Sequence, residues 1–128
     1  MNAYKRKKEK DSLDFEIEFF EKLLRRRPEF IEVLRALGDA YTQRGYYAKG
    51  LAVDKKLAQL RPDDALIFYN LACSYSLMRE IERSLEAITR AIELGYDDFT
   101  FLHNDADLEN LRADIRFRDM MSKLQLKL

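Results

Sequence analysis

Polar residues with metal-binding chemistry cluster at one place in the C-terminal third, in the run His103-Asn104-Asp105-Ala106-Asp107. Imidazole and carboxylate groups are common ligands of zinc and other divalent ions. The chain has a single histidine, however, and the spacing of this run matches none of the usual ligand sets. Short polar side chains in such a run also cap helices and stabilise turns. We therefore expect a capping loop here, with no metal and no cofactor.

The residues that nucleophilic or phosphate chemistry needs are sparse. One cysteine, Cys73, is the only thiol, and we expect it to be a small, partly buried helix residue. The four glycines are Gly38, Gly45, Gly50 and Gly95, and none belongs to a glycine-rich phosphate loop. A catalytic histidine with a nucleophile and a partner carboxylate is hard to assemble from the single histidine. We expect no catalytic residues, and we predict that the protein is not an enzyme.

Composition and charge indicate a globular protein without a nucleic-acid footprint. The 128 residues suit one domain, and 47% are hydrophobic and 36% charged. Lys and Arg number 23, as do Asp and Glu, so the net charge is zero and we expect no nucleic-acid partner. Residues 1–11 form a basic run that we expect to be a flexible, solvated arm.

We expect that the N-terminal segment is not a secretory signal peptide. Its basic residues resemble the start of a signal peptide, but the acidic run 11–16 follows where an apolar stretch would be needed. No window approaches the about 20 apolar residues of a membrane span. The single cysteine cannot form an internal disulfide, which favours a reducing compartment. We therefore expect a cytoplasmic protein.

A repeat of fixed length organises the chain. Pro28 recurs as Pro62, and at the same interval the stretch 37–41 (LGDAY) recurs as 71–75 (LACSY). A period of about 34 residues signals stacked helical hairpins, each of which buries its apolar face against its neighbours. Apolar residues also recur at helical spacing in 64–77 and 81–94. We predict helices near 13–27, 30–44, 47–60, 64–78 and 81–94.

The pattern resembles the tetratricopeptide-repeat (TPR) family, which runs W-x2-L-G-x2-Y, then A-x3-F, then P. In the first repeat the matching positions hold Leu34, Leu37, Gly38, Tyr41, Gly50, Asp54 and Pro62. In the second repeat they hold Phe68, Leu71, Ala72, Tyr75, Ser84 and Ile88. Tyr96 stands where the family has its second proline, but Gly95 before it can end the helix. The resemblance implies an all-α fold of α-hairpin repeats stacked in a right-handed superhelix, about two full repeats with flanking capping helices.

The resemblance also divides the chain. A half repeat covers 12–29, full repeats cover 30–63 and 64–97, and residues 98–128 look like the closing segment of many bacterial TPR arrays. In the closing segment we predict a short helix at 98–104, a turn at 107–111 and a final helix at 114–126. Repeat arrays need such an end to cover their last apolar face. The residues expected to provide this cover are Leu111, Ile115, Phe117, Met120, Met121 and Leu124.

In the TPR family, the first helix of each pair lines a concave groove that binds protein or peptide partners. The positions of this sequence that match the groove are Glu32, Arg35, Asp39, Thr42, Gln43, Leu66, Tyr69, Asn70, Cys73, Ser76, Leu77, Thr100 and His103. Some members clamp a C-terminal carboxylate in this groove, but here only Asn70 fits that pattern and Asp39 would repel the ligand. The resemblance therefore implies a module that binds an extended or helical segment of a partner protein through apolar side chains.

The predicted helix 13–27 offers a second surface. Its phenylalanines include Phe15 and Phe19, and one helix stripe cannot bury all of its apolar side chains inside a small fold. Leftover apolar surface commonly marks an interface. Two alternatives to a groove-binding adaptor therefore stay open. One is a scaffold that forms a homodimer through helix 13–27, and the other is a non-catalytic regulatory subunit of a partner enzyme.

Core positions follow from the repeat register. We expect Leu37, Tyr41, Leu71, Tyr75, Leu85 and Ile88 to be buried. Asp54 lies on the stripe of its helix that should face the neighbouring helices, and the positions one repeat before and one repeat after it hold Phe20 and Ile88. A buried carboxylate without a partner costs several kcal/mol of folding free energy. We therefore predict that Asp54 is buried and hydrogen-bonded, to a tyrosine hydroxyl or a basic side chain. The alternative is that the helix rotates slightly and Val53 takes the core position.

Overall fold

The protein is all-α throughout the part described by the computed structural model, residues 2–127, with side chains for 2–124. Its helices are α1 (Ala3–Arg26), α2 (Ile31–Arg44), α3 (Tyr47–Leu60), α4 (Ala65–Leu77), α5 (Ile81–Glu93), α6 (Phe99–Asn104), α7 (Glu109–Arg112) and α8 (Ile115–Lys127). A 3-10 turn, Ala106–Leu108, precedes α7. The predicted all-α class is confirmed, and α2 to α5 begin and end within two residues of their predicted bounds. No helix within 2–127 is both long and apolar enough to cross a bilayer.

Two compact units divide the chain. Unit 1 is Met1–Pro62 and unit 2 is Asp63–Leu128. Unit 1 contains α1 and the hairpin of α2 and α3, and unit 2 contains the hairpin of α4 and α5 followed by the closing segment.

Residues with a left-handed backbone conformation lie just after three helices: Gly45 after α2, Arg79 after α4 and Gly95 after α5. Gly45 after α2 has φ 88°, and Gly95 after α5 has φ 111°. In both of these turns the next N–H bonds back to a carbonyl in the last turn of the helix, at 2.8 Å for Tyr46 and 2.9 Å for Tyr96. Glycine adopts this geometry without a Cβ clash, so Gly95 ends α5 without a proline.

One buried apolar cluster of unit 1 lies between α1 and α2. It comprises Ile17, Leu37, Ala40 and Tyr41, with Leu13, Phe20, Leu24 and Val53 packed against it. Two polar contacts also join α2 to α1. The Tyr41 hydroxyl donates to Glu21, and Arg44 Nε lies 2.8 Å from Asp14 Oδ1. Burial, and then the bond to Glu21, raise the pKa of Tyr41, so this hydroxyl remains a donor at physiological pH.

Asp54 is buried on α3, with 7% of its surface exposed, so the predicted burial is confirmed. Its carboxylate faces α2, since a Cβ added at Gly38 would lie 3.3 Å from Asp54 Oδ1. Asp54 also takes part in a polar interaction inside the protein. A partner and a close glycine together explain how α3 tolerates a carboxylate where its repeat equivalent is Ile88.

The α4–α5 hairpin holds the core of unit 2. Ile67, Ala72, Ile88 and Ala91 are at most 1% exposed, and the Ser84 hydroxyl donates to the Ala72 carbonyl at 2.7 Å. The small residues Ala72, Ser84 and Ala91 let α4 and α5 approach closely. The expected core residues Leu71 and Tyr75 are buried as well, whereas Leu85 is only half-buried.

The closing segment covers the hairpin with a second apolar layer. Leu102, Leu108 and Leu111 are fully buried, and Phe117 and Met121 are at most 5% exposed. Met120 and Leu124, also expected in this layer, are half-buried.

The expectation for Ile115 was wrong, because 66% of its surface is exposed. At 100° per residue, Ile115 lies about 200° around α8 from Phe117. The face that buries Phe117 and Met121 therefore turns Ile115 to solvent.

The N-terminal residues depart most from the sequence-based expectation. α1 begins at Ala3, well before the predicted start at 13, so residues 3–11 are helical where we expected a flexible arm. Asn2 caps this start, accepting the Lys5 N–H on Oδ1 at 2.8 Å. Every residue from 2 to 12 is exposed. The extension therefore has no apolar face packed against unit 1, which is why periodicity did not predict it.

Candidate protein-interaction site

The face of α4 that carries the expected groove positions, which we call its inner face, is built around Tyr69, which is only 3% exposed. Its hydroxyl donates to Asp105 Oδ2 at 2.6 Å. Its ring stacks on Tyr96 with centroids 4.4 Å apart, and the Phe101 ring lies 6.0 Å away. Burial, and then the bond to Asp105, raise the pKa of Tyr69 well above its usual value. This hydroxyl therefore joins α4 to the closing segment as a permanent donor.

Two more of the expected groove residues, Cys73 and Ser76, also contact the closing segment. Cys73 is buried, and its Sγ lies 3.7 Å from Asp105 Oδ2. Ser76 is fully buried; its Oγ accepts the Leu111 N–H at 3.1 Å, and its carbonyl accepts Asn110 Nδ2 at 2.9 Å. Both residues therefore bind the closing segment.

Tyr69, Cys73 and Ser76 are thus not open groove residues. For Tyr69 and Ser76 this is contrary to our expectation, whereas Cys73 was expected to be partly buried and is buried. The physical reason is that the closing segment of the same chain lies over this face of α4 and satisfies its polar groups.

Asp105 organises the loop that we considered as a metal ligand set. Its Oδ1 accepts the Asp107 N–H at 3.0 Å, which caps the following 3-10 turn. Arg112 Nη1 donates to the Asp105 carbonyl and, at 2.9 Å, to the Leu102 carbonyl. Burial and the neighbouring charge of Asp105 raise the pKa of Asp107. The run therefore serves as a capping loop, and the described residues include no cluster of three potential metal ligands.

Apolar side chains stay exposed beside this covered face. Leu66, one turn before Tyr69 on α4, is 51% exposed, and Phe101 on α6 is 54% exposed. Leu66 and Phe101 define what we call the Leu66–Phe101 patch. Phe101 was absent from the residues expected from the sequence, because a six-residue helix is too short to show an apolar period.

The other expected residues of unit 2 remain accessible to different degrees. Thr100 and His103 are exposed on α6, while Asn70 and Leu77 are half-buried on α4.

The corresponding face of α2 in unit 1 is polar. Glu32, Asp39 and Gln43 are exposed, and Arg35 and Thr42 are half-buried. Partial desolvation raises the pKa of Asp39, and the charge of Arg35 partly offsets this rise. A Cβ added at Gly50 would lie 2.9 Å from Thr42 Oγ1, so the Thr42 hydroxyl faces α3. The α2 face therefore offers charges and amides but no large apolar side chain among these five positions.

A groove of about 550 Å³ lies between α4 and α5. Leu71 and Tyr75 form part of its wall, and charged residues of α5 such as Arg83 and Glu86 line it as well. The groove contains none of the residues expected from the sequence to bind a partner. Its apolar wall residues Leu71 and Tyr75 are themselves buried.

The second expected surface is exposed on α1. Phe15 is 73% exposed and Phe19 51%, while Phe19 also makes an edge contact with Phe20 at 5.9 Å. Leftover apolar surface is therefore present at the two residues expected from the sequence.

No family model matches the sequence. Among curated proteins, a chloroplastic protein from Arabidopsis thaliana is 28% identical over 89 residues. That match covers 67% of this chain and 27% of the plant protein, so the chain spans about a quarter of its relative.

Solved structures resemble the chain in fold. MamA 41-end from Desulfovibrio magneticus RS-1 has a TM-score of 0.66 at 18% identity, covering 91% of this chain and 68% of that chain. The MamA RS-1 ArsTM double mutant has a TM-score of 0.64, also at 18% identity, covering 88% and 68%. At this identity the likeness concerns the fold alone. It supports the resemblance stated from the sequence to this extent: the chain has a TPR-like helical-repeat fold.

Proposed function

We propose that this protein is a non-catalytic protein-interaction module, an adaptor or complex subunit, that binds a partner segment at the Leu66–Phe101 patch. The observation that carries this proposal is the exposure of two large apolar side chains, each more than half in water, directly beside the buried Tyr69. Leu66 lies one turn before Tyr69 on α4 and the Phe101 ring lies 6.0 Å from Tyr69, so both exposed side chains share one neighbour at which a partner could bind.

The contacts that hold Tyr69 in place beside the patch favour binding. Tyr69 is fixed by its bond to Asp105 and its stacking on Tyr96, so Phe101 rests against an ordered ring. A surface that is ordered before binding loses little conformational entropy when a partner arrives. Aromatic anchors on such surfaces supply much of the affinity of protein interfaces.

The surroundings suit a peptide or helix with one or two apolar side chains. Asn70 lies one turn after Leu66 on the same face of α4, and Thr100, next to Phe101 on α6, exposes a hydroxyl group. An apolar centre with a polar rim is the usual composition of a protein interface. The partner segment inserts its apolar side chains between Leu66 and Phe101 and makes hydrogen bonds at the rim.

The placement of the potentially reactive side chains of unit 2 supports a non-catalytic role. Tyr69, Cys73 and Asp105 contact one another beneath the closing segment, where their polar groups are used to hold that segment. Catalytic groups must instead reach a substrate. Regulation of a partner enzyme is compatible with the same binding surface.

Affinity capture with patch variants tests the proposal. The wild-type chain and the Leu66→Ser/Phe101→Ser variant serve as baits, and retained proteins are identified by mass spectrometry. Ile115→Ser is a matched control, since Ile115 is a similarly exposed apolar residue of the same unit. We expect a partner set that the control keeps and the patch variant loses. Equal retention by all three baits would contradict the proposed site.

A further inference from the structure

α1 carries two apolar faces. The inner face packs on α2 through Leu13, Ile17, Phe20 and Leu24. On the other side Tyr4, Phe15 and Phe19 are 75%, 73% and 51% exposed. At 100° per residue these three lie within about 60° of one another and opposite the inner face. We call Tyr4, Phe15 and Phe19 the outer stripe.

The first turns of α1 lack both tertiary cover and favourable charge. Residues 3–12 are exposed, and helices without tertiary packing are only marginally stable in water. The first turn contains no acidic residue, and Lys5, Arg6 and Lys7 follow the Asn2 cap. Cations at this end oppose the helix dipole. An acidic surface packed against these turns would stabilise them.

α1 itself contains such a surface. Residues 5–10 hold five basic and one acidic side chain, and residues 11–18 hold four acidic and no basic ones. Two copies of α1 in antiparallel orientation bring the basic run of each against the acidic run of the other. A parallel pair would instead place like charges together. Charge therefore selects the orientation of the pair.

We propose that the chain forms an antiparallel homodimer through the outer stripes of two α1 helices. The two-fold axis passes close to Asp11 and Ser12, so that Tyr4 of one copy packs on Phe19 of the other. In the same register Lys8 lies over the Phe15 ring, a cation–π pair.

Ion pairs flank this stripe on both sides. Lys5 comes beside Glu16 of the second copy, and Lys7 beside Glu18. Each of these pairs occurs twice because the dimer is symmetric.

A second copy fits the stripe better than a membrane surface does. Anionic lipids would attract residues 5–10, but the same surface would repel Asp11, Asp14, Glu16 and Glu18, which surround Phe15. A contact limited to about four turns of each helix belongs to small interfaces, below about 1,200 Å². We therefore expect a weak dimer that dissociates at low protein concentration.

Sedimentation velocity from low micromolar to several hundred micromolar protein tests the pairing. We expect a monomer–dimer equilibrium that weakens as salt is raised, because salt screens exposed ion pairs. Tyr4→Ser/Phe15→Ser should weaken the dimer by about tenfold or more. Ile115→Ser, which changes a similarly exposed apolar residue, should leave it unchanged.

Charge reversal tests the orientation. Lys5→Glu/Lys7→Glu and Glu16→Lys/Glu18→Lys should each be monomeric alone, because each places like charges together. An equimolar mixture should form heterodimers. Circular dichroism confirms that each variant is folded.

Three results would overturn the pairing. They are a monomer at every concentration, a dimer that Tyr4→Ser/Phe15→Ser leaves intact, and a monomer that binds phosphatidylserine vesicles. None of them bears on the Leu66–Phe101 patch, which belongs to the other unit, so the proposed function would still stand.

Discussion

The inner faces of α2 and α4 occupy the same repeat positions but have opposite environments. Arg35 and Asp39 on α2 correspond, one repeat later, to Tyr69 and Cys73 on α4. Arg35 is half-buried and Asp39 is exposed, whereas Tyr69 and Cys73 are buried under the closing segment. Repeat register therefore fixes which way a side chain points, and the chain that follows decides whether it reaches solvent.

Core positions should behave alike in both units. Leu37 and Leu71 are equivalent and are 3% and 7% exposed. Leu37→Ala and Leu71→Ala should each lower the free energy of unfolding by about 2–5 kcal/mol, since both leave a cavity. Urea denaturation measures the loss. An unchanged midpoint for either variant would show that the repeat register is wrong.

The inner faces, in contrast, should respond differently. Tyr69→Phe removes the donor to Asp105 and should cost about 1–3 kcal/mol of unfolding free energy, because a part-buried acceptor loses its partner. Gln43→Ala, at an exposed position on the matching face of α2, should change it by about 0.5 kcal/mol or less. Denaturation midpoints compare the two variants. Equal losses would mean that the two faces are not in different environments.

Asp54 and Ile88 form a second equivalent pair, one charged and one apolar, and both are buried. Asp54→Asn keeps the shape but removes the charge, so the polar interaction of Asp54 should weaken by about 1–2 kcal/mol. Thermal unfolding gives the difference. Asp119→Asn, at an exposed site on α8, is the control and should have almost no effect. If both variants melt together, the carboxylate contributes nothing to stability.

The turns after α2 and α4 differ in the residue at their left-handed position. Arg79 corresponds to Gly45 and has φ 61°, the left-handed region that disfavours side chains. Arg79→Gly should therefore raise stability by about 0.5–1 kcal/mol. The gain is small, so calorimetric scans of both proteins in one buffer are the suitable measurement. A destabilised variant would show that the Arg79 side chain makes a compensating contact.

The repeat-derived elements could be predicted because their sequence signals are local and recur at a fixed interval. Helices α2 to α5 follow from apolar spacing and from residues such as Gly95 and Pro62, each of which acts locally. The basic start of α1 has no apolar period, so its helical state could not be read from spacing.

The site was only partly predictable, for a different reason. Positions such as Leu66 and Phe15 were identified because the repeat or the surplus of apolar residues points to them. The burial of Tyr69 and Ser76 depends on Asp105 and Leu111, which lie far along the chain and outside the repeat pattern. Contacts of that kind leave no periodic trace in a sequence.

Thiol labelling tests the difference between the two inner faces most directly. Cys73 is the only native thiol, and Asp39 occupies the equivalent position on α2. In the Asp39→Cys variant, labelled under native conditions with Ellman's reagent, one thiol should react at the rate of an exposed cysteine. The other, Cys73, should react only as the closing segment opens, many times more slowly, and wild-type protein should show the slow phase alone. A fast phase in the wild-type protein would contradict the account, because it would place the inner face of α4 in open solvent.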